Sequence, residues 1–349
     1  MKRRTAVLCL VAALTAQPCE CALAGTSGNP AERPAERPAD ASRGGMQGGP
    51  GGSGTAYMQS LKDDDPLVRQ GSARALGESL DKSAGPALAD VLGGDGEESV
   101  RLAALGALVA IGDRSFLAYY VRAIKDRSEL VRRSAAEAMS GLWDETAHSA
   151  LMGALNTDPS PKVRRSAALA LGNPGILGKY SAHGWNRTAD TEDALSDALR
   201  ADESYEVRAM AASQLGRFEG PKSLAALMDA LEHDKNSSVR AAAAESLGMR
   251  GDKQAVDKLI SALYFEKDET ALVAAMKALK FTGDARMGEP LVEALRSGSP
   301  KVRWQAIDTI ESVRPDSAVR MLQDIAADKY ESDGVRAKAE EALQLMGVY

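Results

Sequence analysis

The stretch SVRAAAAESLG, Ser238 to Gly248, repeats an apolar residue every three to four positions: Val239, Ala243, Ala244 and Leu247. That spacing lays four side chains along one face of an α-helix and leaves the opposite face to Arg240 and Glu245. The small Ala side chains let such a face approach a neighbour closely. Gly248, directly after the Leu, is expected to end the helix in a left-handed conformation. Just upstream, LAALMDALEHD (Leu224 to Asp234) aligns Leu224, Leu227, Met228 and Leu231 on a second helical face. Two amphipathic helices joined by a short polar turn make a helical hairpin.

The same hairpin recurs along most of the chain. Val-Arg pairs stand at Val68-Arg69, Val100-Arg101, Val131-Arg132, Val163-Arg164, Val207-Arg208, Val239-Arg240, Val302-Arg303 and Val335-Arg336. Successive Val spacings are 32, 31, 32, 44, 32, 63 and 33 residues. The 63-residue gap hides a degenerate copy at Ala271-Leu272, whose Leu279 keeps the register, so nine copies run from Tyr57 to Tyr349. A fixed period in this range defines a solenoid, in which each unit buries its apolar face against its neighbours. The fold expected is therefore an all-α solenoid of about nine stacked helical hairpins.

An acid stands five residues before the Val position in most copies: Asp63, Asp95, Asp126, Asp158, Asp202, Asp234 and Glu266. It falls at the end of the first helix, with the Arg at the start of the second. Acid and Arg are placed to bridge the turn, either within a unit or between stacked units. The row Arg69, Arg101, Arg132, Arg164, Arg208, Arg240, Arg303 and Arg336 is accordingly read as structural. A stripe for polyanions would need the acids to point elsewhere.

The Val-Arg-x-x-Ala-Ala-x-Ala-Leu-Gly pattern, clearest in VRRSAALALG (Val163 to Gly172) and VRAAAAESLG (Val239 to Gly248), resembles short HEAT-like repeats of the phycobilisome-lyase type. The resemblance implies a right-handed superhelix whose second helices line a concave surface. Its implication for function is broad, because such repeats serve in scaffolds, chromophore lyases, a di-iron hydroxylase and DNA glycosylases. The hydroxylase relatives bind metal through recurrent His-Glu pairs, whereas His148, His183 and His233 are followed by Ser149, Gly184 and Asp234. These histidines are expected to face solvent. Trp304 and Asp308 share one helix face and come nearest to a glycosylase arrangement, but read as a Trp beside an ordinary surface Asp. The sequence holds no Gly-x-Ser-x-Gly elbow, no phosphate-cradling loop and no His-Glu-x-x-His. No catalytic residue, metal ligand or cofactor is expected.

Composition agrees with this. Aromatic residues make up 4% of the chain against 44% apolar in all, which suits small, closely packed helices. The formal net charge is −6, a poor basis for nucleic-acid binding, which rests on clustered Lys and Arg.

The N-terminus reads as an export signal over residues 1–24. Lys2, Arg3 and Arg4 form a positive start, Thr5 to Ala16 an apolar run, and Ala22-Leu23-Ala24 a small-residue cleavage site. All three cysteines, Cys9, Cys19 and Cys21, precede that site. An acylated Cys19 or Cys21, and hence a lipid anchor, is the alternative. Residues 25–56, with AERPAERPAD (Ala31 to Asp40) and GGMQGGPGGSG (Gly44 to Gly54), have the Pro and Gly density of a disordered linker. No later apolar run is long enough to span a bilayer.

Two departures from the repeat mark candidate partner sites. The 44-residue spacing carries an insertion, NPGILGKYSAHGWNRTAD, over residues 173–190. It gathers Tyr180, His183, Trp185 and Arg187, side-chain types that dominate binding energy at interfaces; the alternative is that Tyr180 and Trp185 pin the loop to a neighbouring repeat. The second departure lies in the row two residues after each Val: Gln70, Leu102, Arg133, Arg165, Ala209, Ala241, Val273, Trp304 and Ala337. Leu102, Val273 and Trp304 are apolar there and would face the groove; core packing against a curved neighbour explains Leu102 and Val273 equally well, and Trp304 is the stronger candidate. The function expected is a non-enzymatic solenoid that binds or scaffolds a protein partner in the periplasm or cell envelope. A lyase-like enzyme or cofactor-handling protein, and an envelope polysaccharide binder, are the alternatives.

Overall fold

The computed structural model describes residues 54–142, 144–173, 187–280 and 282–348. Among these residues there are 18 α-helices and no strand. In chain order they are α1 (Gly54–Ser60), α2 (Pro66–Ser79), α3 (Gly85–Gly94), α4 (Glu98–Ile111), α5 (Leu117–Ala123), α6 (Glu129–Ala138), α7 (Glu145–Thr157), α8 (Pro161–Leu171) and α9 (Arg187–Ala201). The remainder are α10 (Tyr205–Leu215), α11 (Pro221–His233), α12 (Ser237–Arg250), α13 (Lys253–Phe265), α14 (Glu269–Leu279), α15 (Gly288–Ala294), α16 (Pro300–Val313), α17 (Val319–Ala327) and α18 (Asp333–Leu345). The chain divides between Ala123 and Ile124 into two compact units, one holding α1 to α5 and the other α6 to α18. Within each unit, hairpins such as α1/α2, α3/α4, α11/α12 and α17/α18 stack so that second helix packs on second helix.

Helix boundaries follow local chemistry. The turn into a second helix carries two polar residues in succession, each closing part of it. In the fourth copy Asp158 Oδ1 accepts the Ser160 N–H at 2.9 Å, and Ser160 Oγ in turn accepts the Lys162 N–H at 3.2 Å. Asp234 with Asn236 and Glu266 with Asp268 repeat this arrangement. Such side chains satisfy N–H groups that the first helical turn leaves without partners. Pro66, Pro161 and Pro300 occupy the first helical position, where the absent N–H is no loss.

The core is the stripe read from SVRAAAAESLG. Val100, Val131, Val163, Val207 and Val239 are wholly buried, as are Leu76, Leu108, Leu171, Leu215 and Leu279 one turn or two further on. A third buried row lies five residues after the Val: Ala73, Leu105, Ala136, Ala168, Ala212, Ala244, Met276 and Ile307. In the last copy that place is Glu340, and Gln344 follows one turn later, both exposed. The hairpin α17/α18 is thus polar and exposed at the place where the other copies are apolar and buried.

The glycine after the Leu does not end its helix in a left-handed turn. Gly77 and Gly248 lie inside α2 and α12, and Gly172 and Gly216 have φ of −80° and −57°. Left-handed residues come elsewhere, at Gly112 and Gly251 among others. The glycines are small for a packing reason: a Cβ on Gly77 would sit 2.7 Å from Ala107 Cα, and one on Gly248 2.7 Å from Ala278 Cα. Each lets a second helix lie against the backbone of the next. Two segment limits also shift. Helix α1 starts at Gly54, inside the Pro/Gly-rich segment, and α9 starts at Arg187, so the end of the insertion is helical.

Gly248→Ala should therefore destabilise the protein by about 1 to 3 kcal/mol through overpacking, despite the better helix propensity of Ala. Gly153→Ala, at an exposed position of α7 with open space around its Cβ, should stabilise by up to about 1 kcal/mol. Urea melts of the two variants check the opposite signs.

Candidate functional site

The acid and arginine rows interlock across repeats. Arg164 donates from Nε to Asp202 Oδ2 at 2.7 Å and from Nη2 to Asp202 Oδ1 at 2.9 Å, a bidentate fork onto the acid of the next copy. Its Nη1 donates backward to the carbonyls of Asp158 and Pro159 in its own turn, at 2.9 and 3.3 Å. One guanidinium thereby closes one turn and clasps the next. Arg69 with Asp95, Arg132 with Asp158, Arg208 with Asp234 and Arg240 with Glu266 form the same fork, all with Nε–O distances of 2.6–2.7 Å. The bridge runs between stacked units.

Every acid in these forks also closes its own turn through a backbone N–H. Asp63 and Asp126 do so with the Asp65 and Ser128 N–H groups, and their carbonyls accept Arg69 and Arg132. Arg101 is buried, with Nη1 on the carbonyls of Asp95 and Gly96. Hydrogen bonding to the partner carboxylate raises the Arg69, Arg132, Arg164, Arg208 and Arg240 guanidinium pKa values above their ordinary level. The Arg69 hydrogen bond holds Asp95 below the usual carboxylate range. Burial opposes ionisation of Glu266, but its bonds to Arg240 and to backbone N–H groups outweigh it and keep the pKa low.

Two features of the ladder were hidden. Arg303 clasps Glu331, with Nε and Nη2 at 2.5 and 2.7 Å; this acid stands four residues before Val335 instead of five, and the longer Glu side chain makes up the difference. In the degenerate copy Leu272 replaces the Arg, and Ser297 replaces the acid that would have received it. The rung is lost as a pair, so neither charge is stranded. Arg336, in the last copy, pairs within its own helix with Asp333.

Of the second-helix row, Val273 and Ala241 prove to be core residues and Leu102 is half-buried, so core packing is the reading that holds for Val273. Trp304 remains 41% exposed, with Lys338 Nζ 5.7 Å from the ring centroid. Asp308 is not the surface residue expected: it is 8% exposed and accepts Lys280 Nζ at 2.7 Å, with Lys338 Nζ at 3.4 Å. Lys338 also reaches Glu311 at 2.7 Å and Glu341 at 3.0 Å. Burial works against its charge, yet these carboxylates raise its pKa. Asp308 is thus engaged by ammonium groups and is not poised as a base.

The histidines also divide. His148 is buried, not solvent-facing, with Nε2 2.8 Å from the Thr191 hydroxyl, which ties α7 to α9. His233 is exposed beside Asp229. Tyr180, His183 and Trp185 lie outside the described residues, as do the three cysteines; Arg187 opens α9. An aromatic pair passed over in the sequence stands at the end of α13, where Phe265 is 77% exposed and its ring centroid lies 6.3 Å from that of Tyr264. Phe265 borders a groove of about 440 Å³ with His233, Lys258 and Lys267. The available signal was an apolar residue just before the ladder acid, where other copies place Lys62, Lys125 or His233.

The sequence matches HEAT repeats over residues 56–119, 85–172, 192–280 and 266–344, and the chain belongs to that family. No curated protein matches it. Among solved structures, YibA of Escherichia coli is similar at 16% identity and a TM-score of 0.57, covering 82% of this chain and 98% of that one. Yeast importin-β (Kap95p) gives a TM-score of 0.62 at 16% identity over 84% of this chain, which spans 46% of that protein. At these identities the likeness shows the fold alone. No helix among the described residues is long and apolar enough to cross a membrane.

Arg164→Ala should lower stability by about 3 kcal/mol, because the guanidinium is 9% exposed and its loss leaves the equally buried Asp202 without its partner. Arg336→Ala, whose partner Asp333 is solvent-exposed, should leave the urea midpoint almost unchanged.

Proposed function

We propose that this chain is a non-enzymatic HEAT-repeat scaffold that binds a protein partner, and that it does so after export, in the periplasm or cell envelope. The observation that carries the binding reading is Trp304, a large aromatic held on the second-helix row at 41% exposure while the apolar Val273 of that row is buried. A Trp fixed on a helix and flanked by ion-paired Lys338 loses little freedom on binding, which is why such residues anchor interfaces. The fold is compatible with this use, since Kap95p, which shares it, binds RanGDP and induces its switch loops to adopt the GTP-bound conformation. The insertion carrying Tyr180, His183, Trp185 and Arg187 supplies a second docking element. The export reading rests on Lys2, Arg3 and Arg4, the apolar run after them and Ala22-Leu23-Ala24.

Crosslinking and affinity capture from the native envelope test the proposal, with Trp304→Ala compared against the unaltered chain. The expected result is a specific protein partner whose affinity falls about thirtyfold in the variant, the loss typical of a desolvated anchor, with the melting curve almost unmoved. Equal capture by both proteins, or capture of nothing specific, contradicts the reading.

A further inference from the structure

The ladder has one gap within the second unit, between the hairpin α13/α14 and the hairpin α15/α16. Leu272 stands where the clasping Arg belongs, and Ser297 where its acid belongs. Both are at the turn edge of the array, where first helices end and second helices begin. The adjacent junction is clasped there by Arg240 on Glu266, and the following one by Arg303 on Glu331. At the gap, the turn edge is crossed by Lys301 and Glu269, 3.7 Å apart and both exposed, a pair of the kind that contributes little.

The opposite edge of the same junction is well tied. Lys280, at the end of α14, donates to Asp308 of α16 at 2.7 Å, with both groups largely shielded. One turn away, the Thr309 hydroxyl donates to the Gln305 carbonyl of its own helix at 2.9 Å and lies 3.4 Å from the Met276 carbonyl, a contact that adds little across the junction. On the first-helix side of that edge, Arg286, just before α15, meets Asp257 of α13 at 2.7 Å, but both are exposed, so this pair too contributes little. Lys280 also occupies the position that is glycine in α2, α12 and at the ends of α8 and α10. A shielded ion pair on one edge, with only an exposed and longer pair on the other, is the mechanical arrangement of a hinge.

We propose that this junction is a hinge, pivoting on Lys280–Asp308 and opening at the turn edge where the rung of Leu272 and Ser297 is absent. The hinge lets α15 to α18, which include Trp304, swing against the preceding hairpins. It is an intrinsic property of the array and does not depend on the identity of any partner.

Hydrogen exchange on the full chain tests it. Corrected for intrinsic rates, amides of residues 297–303, Pro300 excepted, should exchange about tenfold faster than those of residues 234–240, the equivalent turn at a clasped junction, as expected for loss of one charge-assisted rung. The double variant Leu272→Arg/Ser297→Asp restores the rung and should slow residues 297–303 about tenfold while leaving 234–240 unaltered. Equal exchange of the two turns in the unaltered chain overturns the proposal, and that comparison needs no variant. A folded double variant with unchanged exchange at 297–303 overturns it as well.

Discussion

A single guanidinium that reaches forward and backward at once is the interaction on which the stack depends. Helices of this length are marginal alone, and their small Ala-rich faces bury little area each. What makes a series of such hairpins a defined array is registry, and the arginine supplies it. Nε and Nη2 fix the next acid in a planar fork, while Nη1 holds the carbonyls of its own turn. Lysine has neither the geometry nor the number of donors to do both. The partner acid is equally committed, since the oxygen that receives the arginine also receives a backbone N–H from the turn that opens the next helix. Turn, helix start and repeat-to-repeat contact are thus one hydrogen-bonded object.

The exceptions follow from the same logic. A buried arginine without its acid, or the reverse, would be costly, so Leu272 and Ser297 change together. In the last copy of this sequence the arginine turns to Asp333, and Glu340 stands in the place of the buried apolar row. At the third departure, Glu331 moves one place along the chain and a longer side chain restores the fork. The glycines act at the other end of the second helices, where they remove the methyl group that would hold successive backbones apart. Registry at one end and close approach at the other together align each second helix on the next.

Much of this was legible in SVRAAAAESLG and its relatives. The period, the helical hairpin and the buried Val and Leu positions follow from apolar spacing alone, because burial on one helical face leaves a direct trace in sequence. The acid and arginine rows were visible too, but whether they join within or between copies was not, since both partners sit at the turn and only the direction of the side chains decides. Gly248 misled for a related reason: a glycine near a helix end suits a left-handed cap and a tight crossing equally, and the helix continues past it. Asp308 and His148 read as surface residues from their own helix, yet Asp308 is engaged by Lys280 and Lys338 and His148 by Thr191, and such partners cannot be counted from one helix at a time. Trp304 was placed on the right row, but its exposure became definite only once Val273 beside it in that row proved to be core.

The central claim is that the forks between successive repeats are coupled pairs and not incidental surface contacts. A double-mutant cycle on Arg208→Met and Asp234→Asn measures this directly, because the asparagine keeps an acceptor for the turn while removing the charge that the fork requires. Both side chains are almost fully buried, and the coupling energy should be about 2 kcal/mol. Additive effects, with a coupling within about 0.5 kcal/mol of zero, would show that the two residues act independently and that the array is held in register by something other than its arginines.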